Sequence, residues 1–430
     1  MAPTHLFMVL MALILAGLGA ERLSRVLRVP DIALCLAAGV LLGPVLGLVR
    51  LSAQGGPAVV LLTFGAAFML FEGGRRLPLR VLREIWVGLA LLSTLGLLIT
   101  AAVVAVAAHL LLRLPWPEAG LLAAVVSSTD PATIVPLFRA VRIRARLARL
   151  LEAESACNDA VAAVLTFALL GLVQQGRTSV PQAAAHLLWM LGGGAGCGVA
   201  FGLVASWLLP GGRGLGLFDT REQGAILSLA VVVGAYGLAT AAGASGYLAV
   251  FLAGVVMGNR HEIALAAPPA HRRLHEAYLG QVGVLVRMLV FLVLGAVVEL
   301  RLVAAVLLPG LAVSAVLVAV ARPATVLASL LPDRLARWTA GEVRFASWVR
   351  ETGVVPAALA GILLQARVPD APQIAAAVFI AVLVTILVQP TTTRWWARVS
   401  GVGLDGGEGP AVGRCGGADG APGPRTVYWT

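Results

Sequence analysis

The chain has 430 residues, of which 59% are hydrophobic and 12% are charged, and its mean hydropathy is +0.93. Soluble domains carry about 25% charged residues, so this composition excludes an ordinary soluble protein. The net charge of +11 comes from arginine, because the chain has no lysine, and the arginines lie in short gaps between apolar runs. That placement indicates membrane topology and argues against a nucleic-acid partner.

Apolar runs of about 20 residues are long enough to cross a lipid bilayer, and the chain contains thirteen of them. The predicted spans are 4–19, 31–49, 57–73, 85–111, 117–138, 148–174, 182–209, 223–241, 245–258, 277–298, 302–328, 343–365 and 372–393. The first run has no basic residues before it and Arg22 after it, so we expect a retained helix and not a cleaved signal.

The arginines predict the orientation. Gaps between successive spans alternate without exception between those with two to five arginines and those with one or none. Because arginine-rich gaps stay in the cytoplasm, we expect the N-terminus outside and the C-terminus inside, in a multi-pass protein of the cell membrane. Glycine and proline dominate residues 399–430, for which we expect a disordered cytoplasmic tail.

Two spans contain helix-breaking sequence. Pro131 and Pro136 lie in the fifth span, where each proline leaves a carbonyl without its helical partner. A packing kink is one interpretation; the Thr-Asp that precedes Pro131 favours a break that serves a site. Residues 350–356 (Arg-Glu-Thr-Gly-Val-Val-Pro) interrupt the twelfth span, seven spans later, so the two broken helices cross the membrane in opposite directions.

Broken helices in corresponding positions of two inverted halves are typical of a transporter with its site at the membrane midplane. We therefore expect an all-α polytopic membrane protein with an inverted repeat and two broken crossing helices. The halves would be about 1–174 and 223–398, with a linker helix at about 182–209.

Two acidic stretches, 127–131 and 154–159, lie in these apolar surroundings. A charge at the centre of a membrane helix costs about 2.5–3.5 kcal/mol or more, so such carboxylates normally face the protein interior and serve transport. Ser155 and Asp159 are four residues apart and share a helix face, and oxygen ligands of this kind suit Na⁺. The candidate cation- and proton-binding residues are Asp159, Asp130, Ser155, Thr129 and Asn158, with Na⁺ at Asp159, Ser155 and Thr129.

Glu154 needs a partner if it is buried in its ionised form. Arg322 is the preferred partner because it lies deep in the eleventh span, and Arg350 and Arg287 are the alternatives. We interpret Glu154 and Arg322 as a structural ion pair that holds the shape of the site.

In this order and spacing, the motifs resemble those of monovalent cation/proton antiporters of the NhaP-like and eukaryotic sodium/proton exchanger type. The resemblance covers residues from about 5 to 395. The matching motifs are Gly39-x-x-x-Gly43-Pro44, Phe71-Glu72-Gly73-Gly74, Thr129-Asp130-Pro131, Glu154-Ser155-x-x-Asn158-Asp159, 245–254 (Ser-Gly-Tyr-Leu-Ala-Val-Phe-Leu-Ala-Gly) and Arg322-Pro323.

The resemblance implies an antiporter domain at 1–398 and exchange of a monovalent cation for H⁺ in pH homeostasis. It implies that Asp159 binds either ion, and that a core bundle moves against a dimerisation bundle in a homodimer. Asn158 before Asp159 resembles the electroneutral branch, which exchanges one cation for one proton. We expect the exchanged cation to be Na⁺, together with Li⁺. K⁺/H⁺ exchange on the same scaffold is the alternative.

One motif departs from that pattern. Many relatives have Leu-Arg-Gly where this chain has Glu351-Thr352-Gly353, and Arg350 is shifted by two positions. Arg350 and Thr352 are therefore secondary candidates whose roles are not transferred from the resemblance.

Two other functions are compatible with parts of the pattern. A cation channel could use the same scaffold, and Asp130 with Asp159 could form an intramembrane aspartyl protease. Asn158 and Ser155 have no part in proteolysis, so we expect no enzymatic activity. The chain has no Walker motif, and its Cys and His residues lack metal-ligand spacing, so we expect secondary transport without a cofactor.

Overall fold

The computed structural model describes residues 3–27, 29–49, 51, 56–130, 138, 143–175, 180–210, 214–218, 221–262, 269–333 and 335–403. Within these ranges the regular structure is helical, and a single isolated bridge joins Ile143 to Gly403. The predicted all-α architecture is therefore confirmed.

The helices occur in the following order. They are α1 (Pro3–Leu27), α2 (Asp31–Val40), α3 (Gly56–Arg75), α4 (Leu79–Leu91), α5 (Leu97–Leu111), α6 (Trp116–Val126), α7 (Ala145–Gln175), α8 (Val180–Leu208), α9 (Arg221–Ala241), α10 (Gly246–Gly258), α11 (Pro269–Val297), α12 (Leu300–Ala305), α13 (Leu307–Val316), α14 (Arg322–Leu330), α15 (Ala340–Ala346), α16 (Val354–Gln365) and α17 (Ala371–Val399).

Wider π-helical turns continue three of these helices: Leu41–Val45 extends α2, Leu92–Gly96 joins α4 to α5, and Leu317–Ala321 joins α13 to α14. Nine continuous helices in the described part of the chain are long and apolar enough to cross a membrane. Four shorter apolar helices accompany them, and each of the thirteen predicted spans coincides with one of these segments.

Several span boundaries differ from the prediction, and two of the differences have a clear cause. The first helix continues to Leu27 and not to residue 19, because its polar last turns are helical as well and carry an exposed ion pair between Glu21 and Arg25. In the twelfth span the break covers 347–353 and not 350–356. Pro356 lies in the first turn of α16, where an amide hydrogen has no intrahelical partner and proline costs little.

Two groups of helices are distinguishable by their packing. In one, α10 packs between α3 and α8, and α11 packs along α2. In the other, α6 packs against α5, α7 and α17, and α14 packs against the π turn of α4. The broken α15–α16 segment connects them, since α16 contacts α17 in the second group and α3 in the first. The site described below lies in the second group, beside this contact.

Glycines bring α3 and α10 into backbone contact. A Cβ atom on Gly254 would lie 2.2 Å from the carbonyl oxygen of Phe71, and one on Gly74 would lie 2.2 Å from that of Phe251. Such small residues let membrane helices approach closely where lipid supplies no hydrophobic driving force. The motif residues at 71–74 and 245–254 therefore form a helix–helix interface.

We expect Gly254→Ala to lower the thermal stability of the purified protein, because overpacking costs about 1–3 kcal/mol and here the obstacle is rigid backbone. Gly237→Ala on α9 is the matched control, since a Cβ there meets no atom within 4 Å. The thermal stability of both variants is measured in detergent, by heating the protein and then determining the folded fraction by size-exclusion chromatography. A Gly254→Ala protein that melts with the wild type would contradict the close packing.

Candidate functional site

The first broken helix ends at Val126. The Ser127 hydroxyl donates a 2.6 Å hydrogen bond to the carbonyl of Ala123, which satisfies one of the last acceptors of α6. Ser128, Thr129 and Asp130 then continue without helical structure and are buried. Pro131 and Pro136 lie outside the described residues, so the structure does not report on their predicted kinks.

The unwound segment after α6 lies against the unwound segment between α15 and α16. The amide of Asp130 donates a 2.9 Å hydrogen bond to the carbonyl of Glu351. Nη2 of Arg350 donates a 2.7 Å hydrogen bond to the carbonyl of Val126. Backbone groups freed by each break are thus satisfied by the other break, as an apolar interior requires.

Asp130 directs its carboxylate at the N-terminus of α16. Its Oδ2 accepts a 3.3 Å hydrogen bond from the amide of Val354, and the positive end of the helix dipole favours a negative charge at this position. Gly353 makes the approach possible, because a Cβ there would lie 1.9 Å from Oδ2 of Asp130. Asp130 therefore joins the two breaks.

A second set of hydrogen bonds connects the first break to α7. Oδ1 of Asn158 accepts from the amide of Thr129 at 3.2 Å, and Nδ2 of Asn158 donates to the Thr129 hydroxyl at 2.9 Å. The Ser155 hydroxyl donates to the Thr129 carbonyl at 2.7 Å. Asn158 and Ser155 thereby fix the orientation of Thr129, and Ser155 lies one helical turn before Asp159 on α7.

Asp159 has a different environment from the other site residues. It is 8% exposed, and its Oδ1 has no hydrogen-bond partner among the described residues. Asp130 and Ser128 are close enough to interact with it electrostatically. A buried carboxylate oxygen without a donor is costly, and either a proton or a cation removes that cost.

Glu154 and Arg322 form a two-pronged ion pair inside the protein. Nη1 of Arg322 donates to Oε1 of Glu154, and Nη2 donates to Oε2 at 2.9 Å. Nε of Arg322 also donates to the carbonyl of Ala346, the last residue of α15, at 2.9 Å. Both side chains are buried. Arg287, one alternative partner for Glu154, lies instead 3.6 Å from Asp31.

Arg350 and Thr352, the secondary candidates, are both fully buried. Beyond its bond to Val126, Arg350 interacts electrostatically with Glu154 and Arg322, and its Nε has no partner in the described part of the chain. The Thr352 amide donates to the hydroxyl of Thr385 on α17 at 3.1 Å. Thr352 therefore contacts α17 through its backbone amide. The Thr352 hydroxyl has no hydrogen-bond partner among the described residues.

The sequence interpretation missed one carboxyl group. Glu351 was considered only as a departure from a motif, yet it is 1% exposed, and neither of its carboxyl oxygens has a hydrogen-bond partner in the described residues. A glutamate inside a predicted membrane span was the available signal. Glu72, another motif residue, accepts hydrogen bonds from Arg75 and Arg76.

No group of three His, Cys, Asp or Glu side chains in the described ranges is arranged to hold a metal ion. Cys35, Cys157 and Cys197 are free thiols. The candidate ligand atoms of Asp159, Ser155 and Thr129 are oxygens, which suit a hard monovalent cation and not a transition metal.

The described residues form thirteen apolar helical segments, and two unwound helices meet beside a buried carboxylate. These features define a polytopic membrane protein with the architecture of a secondary transporter. Residues 9–399 match the family model described as "Sodium/hydrogen exchanger, transmembrane". The chain belongs to this family.

Similar proteins include antiporters described for different cations. A K(+)/H(+) antiporter NhaP from Alkalimonas amylolytica is 33% identical over 328 residues, which are 75% of this chain and 54% of that protein. NhaP2, a K(+)/H(+) antiporter from Shewanella sp. (strain MR-4), is 30% identical over 397 residues, 88% of this chain and 64% of that protein. The chain therefore spans only about half to two thirds of the length of these relatives.

A relative from Methanocaldococcus jannaschii has nearly the same length. Na(+)/H(+) antiporter 1 from that organism is 27% identical over 424 residues, 92% of this chain and 95% of that protein. The structure of the sodium proton antiporter MjNhaP1 from the same organism at pH 8 superposes with a TM-score of 0.78 at 26% identity. The superposition covers 92% of this chain and 98% of the other, so the predicted fold class is confirmed.

Glu154→Ala is expected to destabilise the protein by about 3–5 kcal/mol, because it leaves the Arg322 guanidinium buried without its counter-ion. The double variant Glu154→Met with Arg322→Met should recover most of that loss, since two apolar side chains of similar length need no partner. Glu21→Ala, which breaks the exposed pair with Arg25, is the control and should cost less than about 1 kcal/mol.

Thermal melting of the four proteins in detergent measures these differences. A double variant no more stable than Glu154→Ala would show that the pair does not act as a unit.

Proposed function

We propose that the protein is a secondary active transporter that exchanges a monovalent cation, Na⁺ and with it Li⁺, for H⁺. The observation that carries the proposal is the buried Asp159 carboxylate with an unpartnered oxygen next to two broken helices. Membership of the sodium/hydrogen exchanger family supports it. The sequence motifs give no support for enzymatic activity or for a cofactor.

The proposed cation ligands are the Asp159 carboxylate, the Ser155 hydroxyl and an oxygen of Thr129. Ser155 and Thr129 are already joined by a hydrogen bond, so their oxygens are held together before the ion arrives. Asn158 orients Thr129, and Asp130 joins the two breaks through Val354. We therefore assign Asn158 and Asp130 to the shape of the site and its electrostatics, and not to direct ligation of the cation.

Exchange follows from competition for one carboxylate. Asp159 is a cation ligand only when it is deprotonated, so a bound cation and a bound proton exclude each other. Both loaded forms leave the site with the same net charge. If only the loaded forms cross between the two sides, movement of one ion down its gradient drives the other in the opposite direction.

One cation for one proton is the proposed stoichiometry. Asn158, at the position before Asp159, is neutral and already committed to Thr129, so it brings no second exchangeable charge to α7. Electroneutral exchange of this kind would serve pH homeostasis at the cell membrane.

We propose Na⁺, and not K⁺, as the preferred cation. Relatives that carry the K(+)/H(+) description match part of their own length, whereas the Na(+)/H(+) antiporter from Methanocaldococcus jannaschii matches almost throughout. That full-length similarity favours Na⁺, and K⁺/H⁺ antiport is the alternative on the same scaffold.

We also propose the organisation of the working protein. The arginine pattern supports an orientation with the N-terminus outside and the C-terminus in the cytoplasm. The repeat halves at about 1–174 and 223–398, with the linker at about 182–209, form one antiporter domain, and residues 399–430 form a cytoplasmic tail. Two chains associate as a homodimer through the group of helices that contains α8, α10 and α11, while the group with Asp159 moves.

In everted membrane vesicles, addition of Na⁺ is expected to release the imposed proton gradient with the wild-type protein, and Asp159→Ala should abolish that release. Asp159→Asn should be equally inactive, because its amide has the size of the protonated acid and cannot give up a proton. Asp370→Asn is the matched control, since this exposed aspartate lies in a loop and its left-handed backbone suits asparagine.

A fluorescent pH indicator follows the gradient with Na⁺, Li⁺ and K⁺ in turn. Exchange that survives in Asp159→Ala would refute the assignment of Asp159. Cation flux that persists without any proton movement would favour a channel.

A further inference from the structure

Glu351 is a buried carboxyl group that the exchange mechanism does not use. It lies in the unwound segment between α15 and α16, and its backbone carbonyl accepts the amide of Asp130. Its side chain is 1% exposed, and neither carboxyl oxygen has a hydrogen-bond partner in the part of the chain that the structure describes. An ionised carboxylate in such surroundings needs a counter-charge or donors, and the described residues give Glu351 neither.

The charged groups that the structure describes around Glu351 offer no compensation. Asp130 interacts with it electrostatically and carries the same sign of charge. Arg350, although adjacent in the chain, interacts instead with Glu154 and Arg322, the buried ion pair. Of two carboxyls that share a site, the one with better donors keeps the charge, and Asp130 has the Val354 amide at the N-terminus of α16.

The neighbouring helices add buried polar groups, and the two arginines of α17, Arg394 and Arg398, are exposed. Trp348 donates to the Thr392 hydroxyl at 2.9 Å and the Thr352 amide donates to that of Thr385, so the segment follows one face of α17. Gln389, one turn after Thr385, is buried on that helix, and its amide also has no partner within the described ranges. The helix α16 contains no charged residue.

Among the described residues, the buried charges next to the two breaks then balance only if Glu351 is neutral. Glu154 and Arg322 cancel each other, Arg350 and Asp130 carry opposite charges, and Asp159 is neutralised by whichever ion it holds. An ionised Glu351 would add one uncompensated negative charge to this buried, described set. Moving an uncompensated charge within a membrane is strongly unfavourable.

We propose that Glu351 is a second proton-binding site, which holds its proton throughout the movement and must be protonated for the loaded core to cross. The inference rests on the proposed antiport function. The Glu351 proton is not exchanged for the cation, so the one-to-one stoichiometry is unchanged. When Glu351 loses this proton at alkaline pH, the loaded core stops moving across, even if Asp159 carries a cation.

Self-exchange of cations tests this site separately from antiport. Labelled Na⁺, and in parallel labelled Rb⁺ as a K⁺ substitute, exchanges for unlabelled ion across proteoliposomes with the same pH on both sides. This reaction needs no proton on Asp159, so competition alone predicts a rate that rises with pH and then stays constant. With a protonation requirement at Glu351, the wild-type rate falls by at least about tenfold at the alkaline end.

Glu351→Gln replaces the protonated acid by a neutral group of the same size. Its self-exchange should equal that of the wild type at neutral pH and stay constant at alkaline pH, and a membrane potential should affect neither protein. Glu118→Gln is the matched control. Glu118 is also a buried glutamate with an unpartnered oxygen in the described residues, but it lies at the start of α6, away from the break. This variant should retain the alkaline fall.

Several outcomes would overturn the proposal. A constant wild-type rate at alkaline pH would do so without any variant, and so would an alkaline fall that persists in Glu351→Gln. Exchange driven by membrane potential in the wild type but not in Glu351→Gln would show that this proton is transported. If Glu351→Gln does not fold, Glu351→Asp replaces it in the test. This variant keeps an acid, so its self-exchange rate should still fall at alkaline pH. An absence of self-exchange with both ions would instead refute the antiport function itself.

Discussion

The contact between two unwound helices at Asp130 is the interaction on which the rest of the site depends. Its amide reaches the carbonyl of Glu351, and its carboxylate reaches the amide of Val354. A broken helix inside a membrane exposes backbone groups that lipid cannot satisfy, and here each break supplies partners for the other. Gly353 is the steric condition for this contact, because any side chain there would occupy the position of the Asp130 carboxylate.

Other buried charges are arranged around that contact according to how well each is compensated. Glu154 and Arg322 satisfy each other and tie α7 to α14, and Arg322 also reaches the end of α15. The side chains of Asn158 and Ser155 both donate hydrogen bonds to Thr129. Asp159 and Glu351 are left with unpartnered oxygens among the described residues. One of these two carboxyls therefore suits ion exchange, and the other suits a proton that is retained.

Much of the fold was predictable because bilayer thickness and backbone chemistry constrain it strongly. Thirteen spans and the two breaks follow from apolar length, proline and intramembrane charge, and the family model and the solved structure agree with the predicted fold class. The end of the second break was misplaced because Pro356 was interpreted as part of it. In the structure this proline belongs to the first turn of α16, a position that one sequence cannot distinguish from a break.

Side-chain partners were harder to predict, since they depend on how separate helices face each other. Spacing of four residues placed Ser155 beside Asp159, but no pattern showed that Asp130 faces the α16 N-terminus or that Gly353 must be glycine. Glu351 was treated as a motif variation because its lack of partners is visible only when the surrounding helices are in place.

The central claim is that a cation and a proton compete for Asp159. The most direct test is the apparent KM for Na⁺ in proteoliposomes, measured over a series of pH values. Competition predicts that the KM rises by about tenfold for each pH unit of acidification in the range where Asp159 titrates, while the maximal rate at saturating Na⁺ stays the same. A KM that is independent of pH, with a maximal rate that falls on acidification, would contradict it.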